Sequence, residues 1–227
     1  MKILAIETTD QAGSVALLEG RRVLAEVRLT AQQRSAQSLA PAIRDLLEAS
    51  AWQPAEIRLV AVAIGPGSFT GLRVGVTTAK TFAYAVGCDV VAVPTLEIVA
   101  AQMPEGPRQL LTVFDAGRQQ VFSARFLPTP DGSMECLEPT ALVDDAGWLA
   151  GLQVGEMISG PGLRKFAGHL PDFAKLAAAE LWAPRAATVG LLALSRYEAG
   201  QRDDLWSLVP IYHRASAAEE KLARLKR

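Results

Sequence analysis

The run Gly65-Pro66-Gly67-Ser68-Phe69-Thr70-Gly71 stands where a strand-like stretch, Leu59–Ile64, gives way to a helical pattern. A glycine-rich turn at that junction is a place where backbone N–H groups and the helix dipole can cradle an anion. The same glycines also permit a tight turn and close helix packing, and the sequence leaves both readings open. A dinucleotide site does not fit, because Thr70 stands where the third glycine belongs and the run does not follow the first strand. A P-loop does not fit either, since no Lys-Ser or Lys-Thr follows.

Carboxylates are the next candidates. Glu7 ends the first strand-like run and Asp115 a later one. Facing each other across a cleft, they could hold a metal through water or act as a base. Acids at strand ends also cap turns, and only Asp10 lies near Glu7 in sequence. The two histidines, His169 and His213, are isolated. No His-x-x-x-His, Ser–His–Asp or Cys–His arrangement can be assembled from them. The two cysteines, Cys88 and Cys136, lie far apart without partners at metal spacing, so reduced core thiols are expected rather than a disulfide or zinc site. No catalytic residue, metal or cofactor is expected from these patterns.

The elements that must position these groups read as an α/β protein. Lys2–Glu7, Ser14–Leu18 and Arg22–Leu29 form a three-stranded meander with turns at Asp10–Gly13 and Glu19-Gly20. A helix spans roughly Ser35–Ser50, with Leu39, Ile43, Leu46 and Leu47 on one side and Pro41 either near its start or at a kink. Leu59–Ile64 and Val90–Val93 are continuous apolar runs of the kind covered on both faces, with helices of about Thr70–Val86 and after Pro94. The plan then repeats weakly. Leu110–Asp115 echoes Ile3–Glu7, Val121–Phe126 echoes Ser14–Leu18, and Gly160-Pro161-Gly162 echoes Gly65-Pro66-Gly67. Two related lobes are expected, residues 1–103 and 104–227. Their linker falls near Met103–Pro107, and the last segment is expected to pack back on the first lobe.

The helix after Thr70 carries a ridge of small residues, Gly71, Gly75, Ala79, Ala83 and Gly87, with Val74, Thr78 and Phe82 alongside. Glycine inside a helix costs up to ~1 kcal/mol against alanine, so close approach of another element must compensate. Either the chain's own lobe or another subunit could supply it.

Composition limits the function. The chain of 227 residues is half apolar and has 23 basic and 24 acidic residues, a net charge of −1. That balance does not describe a protein that grips a phosphate backbone unaided. The N-terminal run reads as a strand rather than a signal peptide, and no apolar run reaches the ~18 residues needed to span a bilayer, so a cytoplasmic location is expected. The segment Ala217–Arg227 reads as a short amphipathic helix or a solvated tail.

Ile3–Thr8, the run Gly65–Gly75, Pro94-Thr95-Leu96, Asp115-Ala116 and Pro210–Arg214 together resemble the TsaB family of the bacterial tRNA threonylcarbamoyladenosine (t6A) machinery. The likeness covers most of the chain and is weak between about Pro128 and Trp182. It implies an actin-like (ASKHA) fold of two duplicated lobes, each a mixed sheet flanked by helices. It also implies a non-catalytic subunit that pairs through helices with the catalytic TsaD. A small ATPase, TsaE, joins at the junction, tRNA is reached only through the complex, and the free chain forms a homodimer. In the catalytic relative, two metal-binding histidines follow the proline that matches Pro94; Glu97 and Ala101 stand at those places here. The family's usual Arg after Asp-Ala is displaced, with Gly117 intervening before Arg118. On this resemblance the ridge is assigned to a subunit contact. The expected interface is Ser38, Leu39, Ala42 and Ile43 with Gly71, Val74, Gly75, Thr78, Ala79 and Phe82. The alternative is an independent nucleotide-using enzyme with its site between Glu7 and Asp115.

Overall fold

The computed structural model describes residues 1–29, 35–103, 108–166 and 168–212. The linker expected at Met103–Pro107 lies outside them apart from Met103, as do His213, Arg214 and the Ala217–Arg227 segment.

Strands β1 (Lys2–Glu7), β2 (Ser14–Glu19), β3 (Arg22–Arg28), β4 (Leu59–Ala63) and β5 (Asp89–Val93) form one sheet in the order β3-β2-β1-β4-β5. A second sheet takes β6 (Leu110–Gly117), β7 (Gln120–Pro128), β8 (Met134–Asp144), β9 (Met157–Ser159) and β10 (Lys175–Leu176) in the order β10-β9-β6-β7-β8. The pairing rules match. β1 runs antiparallel to β2 and parallel to β4, while β6 runs antiparallel to β7 and parallel to β9. This duplicated α/β architecture is the actin-like fold.

β1 is buried on both faces, and its alternation divides two cores. Leu4 and Ile6 meet α1 (Ser35–Ala49) and α2 (Phe69–Val86) through Leu39, Ile43, Leu47, Val76 and Ala79. Ile3 and Ala5 face α5 (Ala186–Glu198), which buries Ala186, Val189 and Ala193. The approach of α5 is close: a Cβ on Gly190 would lie 2.5 Å from Leu18 Cδ1. The short α3 (Thr95–Ala100) is shared between the two sheets, with Ile98 in the α5 core and Leu96 and Ala100 in the core of β6 and β7. α4 (Asp145–Ala150), capped by Asp144, brings Trp148 onto Phe166 in the second lobe. α1 runs on through Pro41 rather than starting there.

The glycine run locks α2 to the turn after β1. Ser68 N donates to Thr9 O at 2.8 Å, Ser68 Oγ caps the helix by accepting from Gly71 N, and Thr8 Oγ1 donates to Gly71 O at 2.7 Å. A Cβ on Gly67 would lie 2.5 Å from Thr9 Cβ; one on Gly71 would overlap the Thr8 carbonyl oxygen, and one on Gly75 would overlap Thr8 Oγ1. The glycines therefore serve close packing, and two of the N–H groups at the helix start are spent on the chain's own oxygens.

This geometry corrects the expected interface. Gly71, Gly75, Ala79 and Ala83 are buried against the home sheet, as are Ser38 and Leu39 of α1. Spacing by fours fixes a ridge but not which way it faces. Val74, Thr78 and Phe82 remain partly exposed beside it. Cys136 also departs from expectation: it is exposed on β8, an edge strand with most side chains in solvent, while Cys88 is half-buried and both are free.

Replacing Gly71 with Ala, or Gly75 with Leu, is expected to force α2 off Thr8 at about 2–3 kcal/mol. The melting temperature should fall by roughly 5–10 °C. An unchanged melt would place the ridge on the surface.

Candidate functional site

Two concave features lie beside α2. The larger is a groove of about 920 Å³ between α1 and α2, with Ile43 and Leu47 from one helix and Thr78 and Phe82 from the other. Exposed Thr77, Thr81 and Ala85 continue its α2 wall, Trp52 and Pro54 close one end, and Arg44 and Glu48 stand at the rim. Arg44 is held by Asp45 at 2.8 Å, so the rim carries little unpaired charge. Of the expected contact residues, the structure brings Ile43, Thr78 and Phe82 together here. Ala42 lies on the other side of α1, in a depression with Val27 and Leu46. Thr77, Thr81 and Ala85 were missed by sequence reasoning, although their spacing of four places them on the face opposite the small-residue ridge.

The second feature is a polar cleft of about 560 Å³ between the lobes, lined by Thr9, Asp10, Ser68, Asp115, Arg164 and Lys165 among others. Arg164 Nη1 donates to both carboxylate oxygens of Asp10 at 3.0 Å, and Asp10 is nearly buried. Lys165 donates to Asp115 at 3.1 Å and Asp145 at 2.9 Å. Both cations sit on the turn Pro161–Phe166, which is held close to β6 because a Cβ on Gly160 would overlap the Val113 carbonyl oxygen. The cleft charges are thus already matched by ion pairs, one of which ties the lobes together. Sequence reasoning passed over Arg164 and Lys165, whose only signal is their place just after the repeated Gly-Pro-Gly.

Glu7 does not face Asp115 across this cleft. It is fully buried and absent from the cleft wall, whereas Asp115 is exposed on it. Its Oε1 accepts from Thr9 N and Thr9 Oγ1, both at 2.5 Å, and its Oε2 has no hydrogen-bond partner among the described residues. Burial is the main force on this carboxyl and raises its pKa from 4.5 to about 7; the Thr9 hydrogen bonds oppose the rise and the neighbouring Asp10 adds to it. Glu97 is also committed, in an ion pair with Arg196 that ties α3 to α5. Arg118 lies on the β6–β7 turn, where Gly117, Arg118 and Gln119 all have positive φ. Among the described residues, no group of three or more His, Cys, Asp or Glu side chains could hold a metal ion, and no helix is long and apolar enough to cross a membrane.

Comparison with known proteins places these features in context. A family model described as "TsaD: tRNA N6-adenosine threonylcarbamoyltransferase" matches residues 24–143, more than half of the chain. The tRNA threonylcarbamoyladenosine biosynthesis protein TsaB of Bacillus subtilis is 31% identical over 233 residues, covering 97% of each chain. The protein of the same description from Escherichia coli is 33% identical over 134 residues, 58% of each chain. Among solved structures, YeaZ from Pseudomonas aeruginosa superposes with a TM-score of 0.78 at 25% identity, over 93% of this chain and 99% of that one.

The raised pKa of Glu7 has a measurable consequence. A carboxyl with a folded pKa above its unfolded value stabilises the fold fully below about 4.5, and that contribution is lost as pH rises through about 7. The loss should amount to about 3 kcal/mol between pH 4.5 and 8. Glu7→Gln, which keeps an acceptor for Thr9 and cannot ionise, is expected to remove this slope in denaturant titrations. An unchanged slope would assign the pH dependence to other groups.

Proposed function

The chain belongs to the TsaB family of tRNA threonylcarbamoyladenosine biosynthesis proteins, and from that premise we propose that it acts in t6A formation as a non-catalytic subunit that binds and supports the catalytic threonylcarbamoyltransferase. The observation that carries this reading is the open groove between α1 and α2. Its floor of Ile43, Leu47 and Phe82 is apolar, its α2 wall is small, and its rim charges are paired. Such a surface fits a helix of another protein better than a polar small molecule. In this reading residues 1–103 form the partner-binding lobe.

The interface of the proposal is the exposed wall of Thr77, Thr81 and Ala85 with half-buried Thr78 and Phe82, over a largely buried floor of Ile43 and Leu47. The same face pairs two copies of the free chain, the TsaE-type ATPase joins the assembled pair, and tRNA is met only through the complex, in the cytoplasm. The non-catalytic role is supported by what stands after Pro94. Ala101 offers a methyl group, and Glu97 an ion-paired carboxylate, where the resemblance puts metal-binding histidines in the catalytic relative. In the cleft, Asp10 and Arg164 satisfy one another.

The test is co-purification and titration of this chain with the catalytic subunit of its own organism, with t6A formation as a second readout. Thr81→Glu places a charge on the exposed wall of the groove and should weaken binding at least tenfold, ~1.4 kcal/mol, with the melting temperature unchanged. Full affinity in this variant would move the interface elsewhere. ATP turnover by the isolated chain that disappears with Asp10→Asn would replace the reading with a nucleotide-using enzyme.

A further inference from the structure

Large apolar side chains gather on the side of α2 away from α1. Trp206 is 73% exposed, Tyr84 68% and Val209 62%, and Phe69, Ile211 and Tyr212 are also exposed. Contiguous exposed apolar surface of this kind marks a contact site more often than chance. The segment Asp203–Tyr212 that carries most of it is fastened along the lobe. Asp203 N donates to Val90 O at 3.0 Å, Ile211 N donates to Ile64 O at 2.8 Å, and Leu208 is buried in the core. Lys80 Nζ donates to the carbonyl oxygens of Trp206 and Leu208 at 3.1 and 2.9 Å. The patch is thus presented by a fixed backbone.

Its composition is that of an interface centre, where Trp, Tyr and Arg concentrate. Tyr84 and Trp206 meet edge to face with ring centroids 5.6 Å apart. Arg73 lies 4.0 Å over the Phe69 ring, and its Nε donates to Tyr212 Oη at 3.1 Å. Among the described residues its guanidinium forms no ion pair, so an oriented cation waits beside an apolar surface. The chemistry that satisfies it is a carboxylate flanked by aliphatic groups. A phosphate backbone fits less well, because Lys80 is spent on carbonyls and Asp203 and Asp204 lie on the same segment.

We propose that this rim is the second half of the partner surface, receiving an acidic and aliphatic segment of the catalytic subunit whose carboxylate pairs with Arg73. The inference rests on the reading of the α1–α2 groove as that subunit's seat. Continuity supports the same occupant: Arg73, Thr77 and Thr81 follow at spacings of four along α2, and Tyr84 stands beside Ala85 of the groove. A helix is only about 10 Å across, so a body seated in the groove extends over the rim.

The experiment titrates the purified catalytic subunit into the wild-type chain, Trp206→Ala and Arg73→Met, at two salt concentrations and with melting curves for each. Trp206 is mostly in solvent, so its truncation should leave the melt unchanged and weaken binding tenfold or more. Arg73→Met should weaken binding about as much and flatten its salt dependence. Wild-type affinity in either variant overturns the rim's role while leaving the groove reading in place. No binding by the wild-type chain sinks both. Variants that bind the subunit normally but lose affinity for tRNA would overturn the proposal in favour of a nucleic-acid surface.

Discussion

The approach of α2 to the turn after β1, with Thr8 Oγ1 donating to the Gly71 carbonyl at 2.7 Å, fixes which face of α2 is buried and which is left in solvent. Only glycine at positions 67, 71 and 75 lets the helix axis come so near the sheet. Because the small face is consumed by that contact, the opposite face must carry Arg73, Thr77, Thr81 and Tyr84 outward. A Cβ at any of the three positions would overlap Thr8 or Thr9 and push α2 away from that turn. The energetic cost of helical glycine is offset by packing within the lobe, and the groove is a consequence of it.

Duplication supplies the rest of the scaffold and also its asymmetry. Each lobe has a Gly-Pro-Gly turn packed closely at the end of its first strand, Gly67 on Thr9 just after β1 and Gly160 on Val113 within β6, and each places an acid near that strand's end. In the first lobe the acid, Glu7, is sealed beneath the turn and prefers to hold its proton; in the second, Asp115 is exposed and paired with Lys165. The turn after β1 meets the turn Pro161–Phe166 through Asp10 and Arg164. With α3 shared and α5 laid on the first sheet, the lobes are joined at the cleft and through both of these helices. The α1–α2 groove and the segment over α2 lie outside these contacts.

Much of the frame was legible from residues. β1, β4, β5 and β6 are continuous apolar runs that only a doubly covered sheet explains, and the repeat was visible in their ends. β8 was not legible, since an edge strand in solvent carries no apolar alternation and tolerates Pro139. α5 lacks a side-chain cap, contains Gly190 and has no start signal, so its helical character comes from burial between elements distant in sequence. The site was half legible. The fourfold spacing of Gly71, Gly75 and Ala79 revealed a close contact but not its direction, and the subunit side taken from the resemblance is not the side on which these residues are buried. That direction depends on Thr8, 63 residues away along the chain. The pairing of Arg164 with Asp10 is set by tertiary geometry alone.

One continuous face of the first lobe, α1 to α2 to the segment over α2, is the proposed seat of the catalytic subunit. Amide hydrogen exchange of this chain, alone and saturated with that subunit, tests it most directly. Added protection is expected in residues 43–54, 73–85 and 203–212, with β7 and β8 unchanged. Protection confined to the interlobe cleft or to the β7–β8 edge, with α2 exchanging as in the free chain, would contradict it.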